Sequence, residues 1–238
     1  MLGKALTKLE SVPSVAARTI TVFHADHGYQ LGELNEWSKK TNTELSARVP
    51  MILRVPWKSG AIGQRSSVAI ELVDMYRTLA ALAGLDQVAP LQTDIQGMSI
   101  APLFDSPKDP PAALANKVAY SQIGSCACRE YTSHGWKGPE CGAGRCIATP
   151  VALFDFMGYS MRTPEWRFTA WVPMGANSSR VDWSKRVYHE LYDVDGDGMG
   201  GKPLDFDWDG YAVNVAAHHP ELVKRMHAEL KSAVDSWY

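Results

Sequence analysis

The sequence predicts an α/β protein in two parts, a layered α/β segment followed by a small antiparallel sheet covered by one helix. Three observations carry that prediction. A β-branched run, Thr19 to Phe23, sits between helical patterns and ends in the polar cluster His24-Ala25-Asp26-His27-Gly28. Short strand patterns at 118–122, 157–163, 166–172 and 189–193 follow one another with no helical pattern between them. A long amphipathic stretch then closes the chain.

Each element has a local cause. Leu2, Leu6 and Leu9 share one helical face, and Pro13 closes that segment. The strand at 19–23 delivers polar side chains at its carboxyl end, the position at which open α/β sheets bind ligands, and Gly28 permits a sharp exit. Val49 to Val55 is a second strand, with Pro50 at its start and Pro56 stopping it. From Val68, the positions Leu72, Met75, Tyr76, Leu79, Leu82 and Ala83 follow helical spacing until Gly84. Ser106-Pro107-Lys108-Asp109-Pro110-Pro111 marks a boundary, which divides the chain into 1–105 and 106–238, with a cysteine-containing loop at 124–150 in the second part. Near the end, Pro220 opens a helix whose buried face is Leu222, Val223, Met226, Leu230, Val234 and Trp237, with His218-His219 placed to cap it.

Composition excludes several classes. With 238 residues, 45% of them apolar and 21% charged, the chain is neither disordered nor collagen-like. A formal charge of -2 generates no long-range attraction for nucleic acid or an anionic membrane. The longest apolar run, Thr78 to Leu85, is far short of the roughly 20 residues of a membrane span. The opening Met1 to Glu10 threads charges through its leucines and lacks the apolar centre of a secretory signal.

Among residues that carry chemistry, Asp26 and His27 stand out as a carboxylate and an imidazole at a strand terminus. On a strand they face opposite ways, and the turn at Gly28 is what could aim both at one metal ion. A cation and an aromatic follow closely in Glu36-Trp37-Ser38-Lys39, which suits an anionic, ring-shaped substrate. All four cysteines, Cys126, Cys128, Cys141 and Cys146, fall in one loop, a pattern that fits disulfides in any of three pairings or a structural zinc. Cys141-Gly142-Ala143-Gly144-Arg145 reads as loop. Asp193-Val194-Asp195-Gly196-Asp197-Gly198 fails as a calcium hand, because its twelfth position is Leu204. Asp205, Asp207 and Asp209 read as a solvated acidic loop, His134 and His189 as structural residues.

Ordered blocks tie these features to a known family. Phe23 through Glu33, then Glu36-Trp37-Ser38-Lys39 and Val49-Pro50-Met51-Ile52, resemble the second metal-binding segment of the sulfatases. The resemblance continues in Glu71 to Tyr76 with Leu82 to Leu85, in Gly97 to Leu103, in Ala119 to Gln122, in Gly158 to Thr163 with Trp166 to Thr169, and in Glu190 to Asp193. It implies an alkaline-phosphatase-like α/β fold, here as a partial α/β/α sheet. It further implies hydrolysis of sulfuric esters by a formylglycine nucleophile beside a divalent metal, usually Ca2+. By position, Asp26 and His27 become metal ligands, Lys39 a catalytic group contacting the sulfate, and Tyr29, Leu31 and Trp37 walls near the sugar. One departure is Gly32-Glu33-Leu34-Asn35, where the family carries Gly-Glu-His-Gly.

The resemblance also implies that nucleophile, two aspartate ligands, a further lysine and a histidine come from an amino-terminal half not seen in this chain, which is then inactive alone. The expected partners are that half and a sulfated sugar or glycosaminoglycan, with no nucleic acid. The expected location is lysosomal or secreted for the full-length enzyme, without a signal peptide in this chain; that context favours disulfides over zinc, and Asn177-Ser178-Ser179 as a glycosylation acceptor agrees. Two other readings stand beside it: a non-catalytic fragment binding sulfated glycans or a partner chain, and a phosphodiesterase or phosphonate hydrolase, since metal plus lysine recognises phosphate equally well.

Overall fold

The computed structural model describes residues 2–87, 94–126, 130–132, 135–137, 151, 154–175, 180–194 and 213–237. In chain order the elements are α1 (Leu2–Glu10), α2 (Pro13–Ala16), β1 (Thr21–His24), β2 (Gln30–Leu31), β3 (Trp37–Ser38), α3 (Glu44–Ala47) and β4 (Met51–Arg54). There follow α4 (Asp74–Leu82), α5 (Ala112–Ala115), β5 (Ala119–Ser125), β6 (Glu130–Thr132), β7 (Gly135–Lys137), β8 (Phe156–Arg162), β9 (Trp166–Pro173), β10 (Tyr188–Asp193) and α6 (Pro220–Asp235). Contacts group them into two units, Met1–Asp26 with Val49–Lys117, and His27–Arg48 with Val118–Tyr238.

In the first unit β1 and β4 pair antiparallel, Thr21 opposite Arg54 and His24 opposite Met51. The helix expected from Val68 begins only at Asp74. Its onset has a physical cause: the Asp74 carboxylate accepts hydrogen bonds from the Glu71 amide and the Met98 amide, both at 2.8 Å, while Val68 and Ile70 pack on Ile100, Leu103 and Leu114. Gly97 has φ +86°, and a Cβ there would lie 2.5 Å from the Val73 carbonyl oxygen, so the Asp74 to Met98 link depends on glycine. Lys117 joins the same group, 2.7 Å from Glu71 and 3.1 Å from Asp74. α1 ends at Glu10, ahead of Pro13 as expected, and Pro13 opens α2, where its fixed φ suits a first helical position.

The second unit carries the antiparallel sheet in the order β10-β9-β8-β5. All four strands match the predicted segments within a few residues, and α6 packs against β8 and β9 as expected. Tyr159, Met161, Phe168, Ala170, Val172 and Leu191 bury against Met226, Leu230 and Val234 of α6. Fully burying one such large apolar side chain contributes about 1.5–3 kcal/mol, and this contiguous set holds the helix on the sheet. Trp237 is 40% exposed, yet its ring meets Tyr120 at 5.5 Å and Tyr159 at 6.0 Å edge to face. The expected histidine cap is corrected: His219 is the residue before α6 but makes no capping hydrogen bond, and its ring packs on Trp166 at 5.2 Å, leaving the start to Pro220. No helix among the described residues is long and apolar enough to cross a membrane.

Candidate functional site

The segment His27–Arg48 is built around two obligatory features, a glycine and a buried amide. The Gly28 amide donates to the Ser46 carbonyl at 2.9 Å, and a Cβ on Gly28 would lie 1.9 Å from the Leu45 carbonyl oxygen. No other residue allows that approach. Two residues on, Gln30 is fully buried, and its side-chain oxygen accepts from the Thr41 and Ser46 hydroxyls at 2.7 and 3.0 Å while its nitrogen donates to the Glu33 carbonyl at 3.2 Å. A buried primary amide is costly unless satisfied, so this network specifies one path for the loop.

The turn between β2 and β3 is equally constrained. Gly32 at φ +126° and Leu34 at φ 56° reverse the chain, and Gln30 pairs with Ser38, Leu31 with Trp37. The Leu31 amide donates to the Glu33 carboxylate at 2.6 Å, which holds that carboxyl below its ordinary pKa. The consequence is an exposed apolar surface: Tyr29, Leu31 and Trp37 are 57%, 66% and 68% exposed. Ser38, at φ 79°, then turns the chain so that Lys39 leaves the ladder.

Lys39 reaches back to His27. Its Nζ lies 2.6 Å from His27 Nε2, and His27 Nδ1 lies 2.8 Å from the Gly28 carbonyl oxygen. An ammonium only donates, so Nε2 is the acceptor and the ring proton sits on Nδ1, donating to Gly28. Asp26 is exposed, two residues beyond β1, and belongs to the first unit, whereas His27 opens the second.

A third feature anchors this loop to the sheet of its own unit. Arg162 and Arg167 are cross-strand partners in the β8–β9 hairpin, a like-charge pair that repels unless a carboxylate intervenes. Glu44 intervenes: its carboxylate is buried, 3.2 Å from Arg162 Nε and hydrogen-bonded by Arg167. Burial alone would raise the Glu44 pKa, but Arg167 and Arg162 outweigh it and the group sits below its ordinary value. Arg167 also donates to the Asn42 carbonyl at 2.9 Å, and the Asn42 amide donates to the Gly158 carbonyl at 2.9 Å.

Of the residues expected in a site, the structure brings together His27 with Lys39 and Leu31 with Trp37. Among the described residues no group of three or more His, Cys, Asp or Glu is placed to hold a metal ion. A calcium-type site takes about six to eight oxygens, so these residues do not make a metal centre by themselves, and the imidazole nitrogen nearest the lysine already serves as its acceptor. Cys128, Cys141, Cys146, Arg145, His134, Asn177, Asp195, Asp197, Asp205, Asp207 and Asp209 lie outside the described residues. Sequence reasoning did not single out Gln30, Glu44, Arg162 or Arg167 as a supporting network. The one available signal was two arginines flanking a predicted hairpin, which demand a buried acid. His189, read from the sequence as a structural residue, pairs with His227, Nε2 to Nδ1 at 2.9 Å.

Comparison with known proteins bears on this arrangement. No family model matches the chain. Iduronate 2-sulfatase of Homo sapiens is 28% identical over 232 residues, covering 82% of this chain and 40% of that protein. The resemblance to the sulfatases is borne out. A structure described as bound to its substrate D-glucosamine-2-N,6-O-disulfate superposes with a TM-score of 0.64 at 23% identity, covering 97% of this chain and 37% of that one. Phosphonate monoester hydrolase of Agrobacterium radiobacter superposes with a TM-score of 0.63 at 17% identity, covering 99% and 38%. The fold is therefore the alkaline-phosphatase-like sulfatase fold, with the small four-stranded antiparallel sheet as its second part. The chain spans about two fifths of the length of the curated sulfatase it matches.

Proposed function

We propose that this chain is part of a sulfuric-ester hydrolase acting on a sulfated sugar or glycosaminoglycan. The observation that carries the reading is the Lys39 to His27 contact at 2.6 Å, in a chain 28% identical to iduronate 2-sulfatase over most of its length. Lys39 is the catalytic group: its ammonium donates to a sulfate oxygen, and that interaction strengthens as negative charge develops in the transition state. Without the divalent cation, His27 Nε2 accepts one N–H of this ammonium, which places Lys39 beside the proposed metal position. Tyr29, Leu31 and Trp37 form the wall against which the sugar lies, an exposed apolar surface that suits a ring face.

Asp26 and His27 are assigned as two ligands of a divalent cation, Ca2+ in this reading, which would take the His27 Nε2 lone pair in place of the Lys39 hydrogen bond; the remaining donors would come from an amino-terminal segment together with the formylglycine nucleophile. The reading places the full-length enzyme in the lysosome or outside the cell, with Cys126, Cys128, Cys141 and Cys146 in disulfides, and makes the chain inactive alone. Exposed Phe23, Ile52, Leu72 and Tyr76 in the first unit support pairing with further polypeptide.

The test is to express the full reading frame with formylglycine-generating machinery and assay an aryl sulfate. Turnover is expected, and Lys39→Ala lowers kcat/KM by roughly 10²–10³-fold, the size seen when one charge-stabilising donor is lost. No turnover with formylglycine verified by mass spectrometry overturns the reading. The likeness to a phosphonate monoester hydrolase favours a second reading, phosphoester or phosphonate hydrolysis at the same lysine. Kinetics on matched sulfate and phosphonate esters separate the two. Retained binding of sulfated glycan without turnover of either ester leaves the non-catalytic reading.

A further inference from the structure

A groove of about 580 Å³ runs between β10 and the start of α6, and none of its lining residues belongs to the segment His27–Arg48. Its lining is largely apolar, with the half-buried Val223 among it, and includes Arg186 and Lys224, both exposed. Arg186 lies over the ring of Tyr188, 5.0 Å from the centroid, and Tyr188 is itself 48% exposed and backed edge-on by Phe156 at 5.9 Å. His189 and His227, hydrogen-bonded to each other, complete the polar lining. No Asp or Glu lines the groove among the described residues, in a chain whose formal charge is -2.

Two permanent cations beside a half-exposed tyrosine, one of them covering one face of its ring, with no acid in the lining, are complementary to a ligand that carries both anionic groups and a flat apolar surface. The volume falls within the roughly 300–1,000 Å³ of small-molecule sites, which suits a sugar or two. We propose that this groove is a second saccharide site, in which Arg186 and Lys224 hold sulfate groups and a sugar ring lies on Tyr188. The choice of sulfate as the anion rests on the sulfatase reading above; the basic, aromatic groove does not. It gives a polymeric substrate a second hold on the protein, away from Lys39, and so raises apparent affinity by linking two weak contacts.

The test titrates the 238-residue chain with a heparin-derived hexasaccharide and with its fully desulfated counterpart by calorimetry, at low and at physiological salt. The sulfated probe binds, weakens with salt, and the desulfated probe does not bind. Arg186→Glu with Lys224→Glu weakens binding at least tenfold, Arg186→Gln with Lys224→Gln does so to a smaller degree, and the charge-matched control Lys8→Glu with Arg65→Glu, exposed positions outside both sites, leaves it within about twofold. Far-UV circular dichroism checks that each variant is folded; both pairs are surface positions. Equal binding by the groove variants, or an equal loss in the Lys8→Glu with Arg65→Glu control, overturns the proposal. Aryl sulfate turnover, measured separately on the full-length enzyme, is unchanged by the groove variants, so failure of the groove and failure of the sulfatase reading give different results.

Discussion

The second unit buries Tyr159, Phe168, Leu191, Met226, Leu230 and Val234 in one contiguous core, whereas the first buries Ile100, Leu103 and Leu114 and leaves Phe23 and Ile52 of its two-stranded ladder 43% and 63% exposed. Both use buried polar groups, but for different ends. In the first, Asp74, Thr78 and Lys117 do much of the holding: Thr78 donates to the Asp74 carbonyl at 2.7 Å and accepts from the Ile100 amide at 3.0 Å. In the second, Glu44, Arg162 and Arg167 add a loop to a sheet that already has its core. A polar staple substitutes for apolar area in one unit and specifies position in the other.

Breaking the staples sharpens this contrast. The largest effect is expected for Arg167→Ala, which leaves the buried Glu44 charge to Arg162 and the weaker influence of Arg48 and costs about 3–5 kcal/mol; chemical denaturation monitored by tryptophan fluorescence measures it. Asp74→Ala comes next. It leaves the Glu71 and Met98 amides without their acceptor, each a loss of roughly 1–3 kcal/mol if the group stays buried, and proteolysis should start in the first unit.

Acid and alkali should then attack different units, as hydrogen exchange resolved by mass spectrometry would read. Burial holds His189 and His227 below the ordinary imidazole pKa of 6.5, with His227 adding to the effect on His189 and Lys231 to that on His227. Unfolding therefore takes up protons, and the second unit loses stability as pH falls from 6.5 through these lowered values. Glu44 adds a second loss below 4.5, as pH falls through its depressed pKa. Lys117 in the first unit works the other way. Burial opposes its charge, but Glu71 and Asp74 raise its pKa above 10.5, so its contribution is present below that value and lost as pH rises through the raised one. The smallest effect is expected for Ile52→Ser, an exposed position, with stability changed by no more than about 0.5 kcal/mol and light scattering reporting less self-association; a drop of several kcal/mol would mean the ladder is covered.

Period-2 and period-3.6 patterns located the sheet and its helix because β8, β9 and α6 bury continuous faces, and burial writes itself into local sequence. The same logic misplaced the start of α4 by six residues, since Val68 and Ile70 are apolar for a tertiary reason, their packing on Leu103 and Leu114. Leu2, Leu6 and Leu9 do share a face of the helix that was expected, yet α1 buries none of its residues within the described structure. At the candidate site, Lys39 and His27 were legible as residue types, and their contact was not, because it depends on the turn at Gly32 and Leu34. Glu44 to Arg167 spans 123 positions, and no window of sequence reports a partner that distant.

The bond from the Asn42 amide to the Gly158 carbonyl closes a separation of 116 residues. Loop closure of that length comes late and slowly, so residues 27–48 leave the ribosome well before the strands they dock on have been synthesised. Until those strands emerge, the segment has only its internal contacts, the Gln30 network and the Lys39 to His27 hydrogen bond, and lacks the anchors that Asn42 and Glu44 make to the sheet.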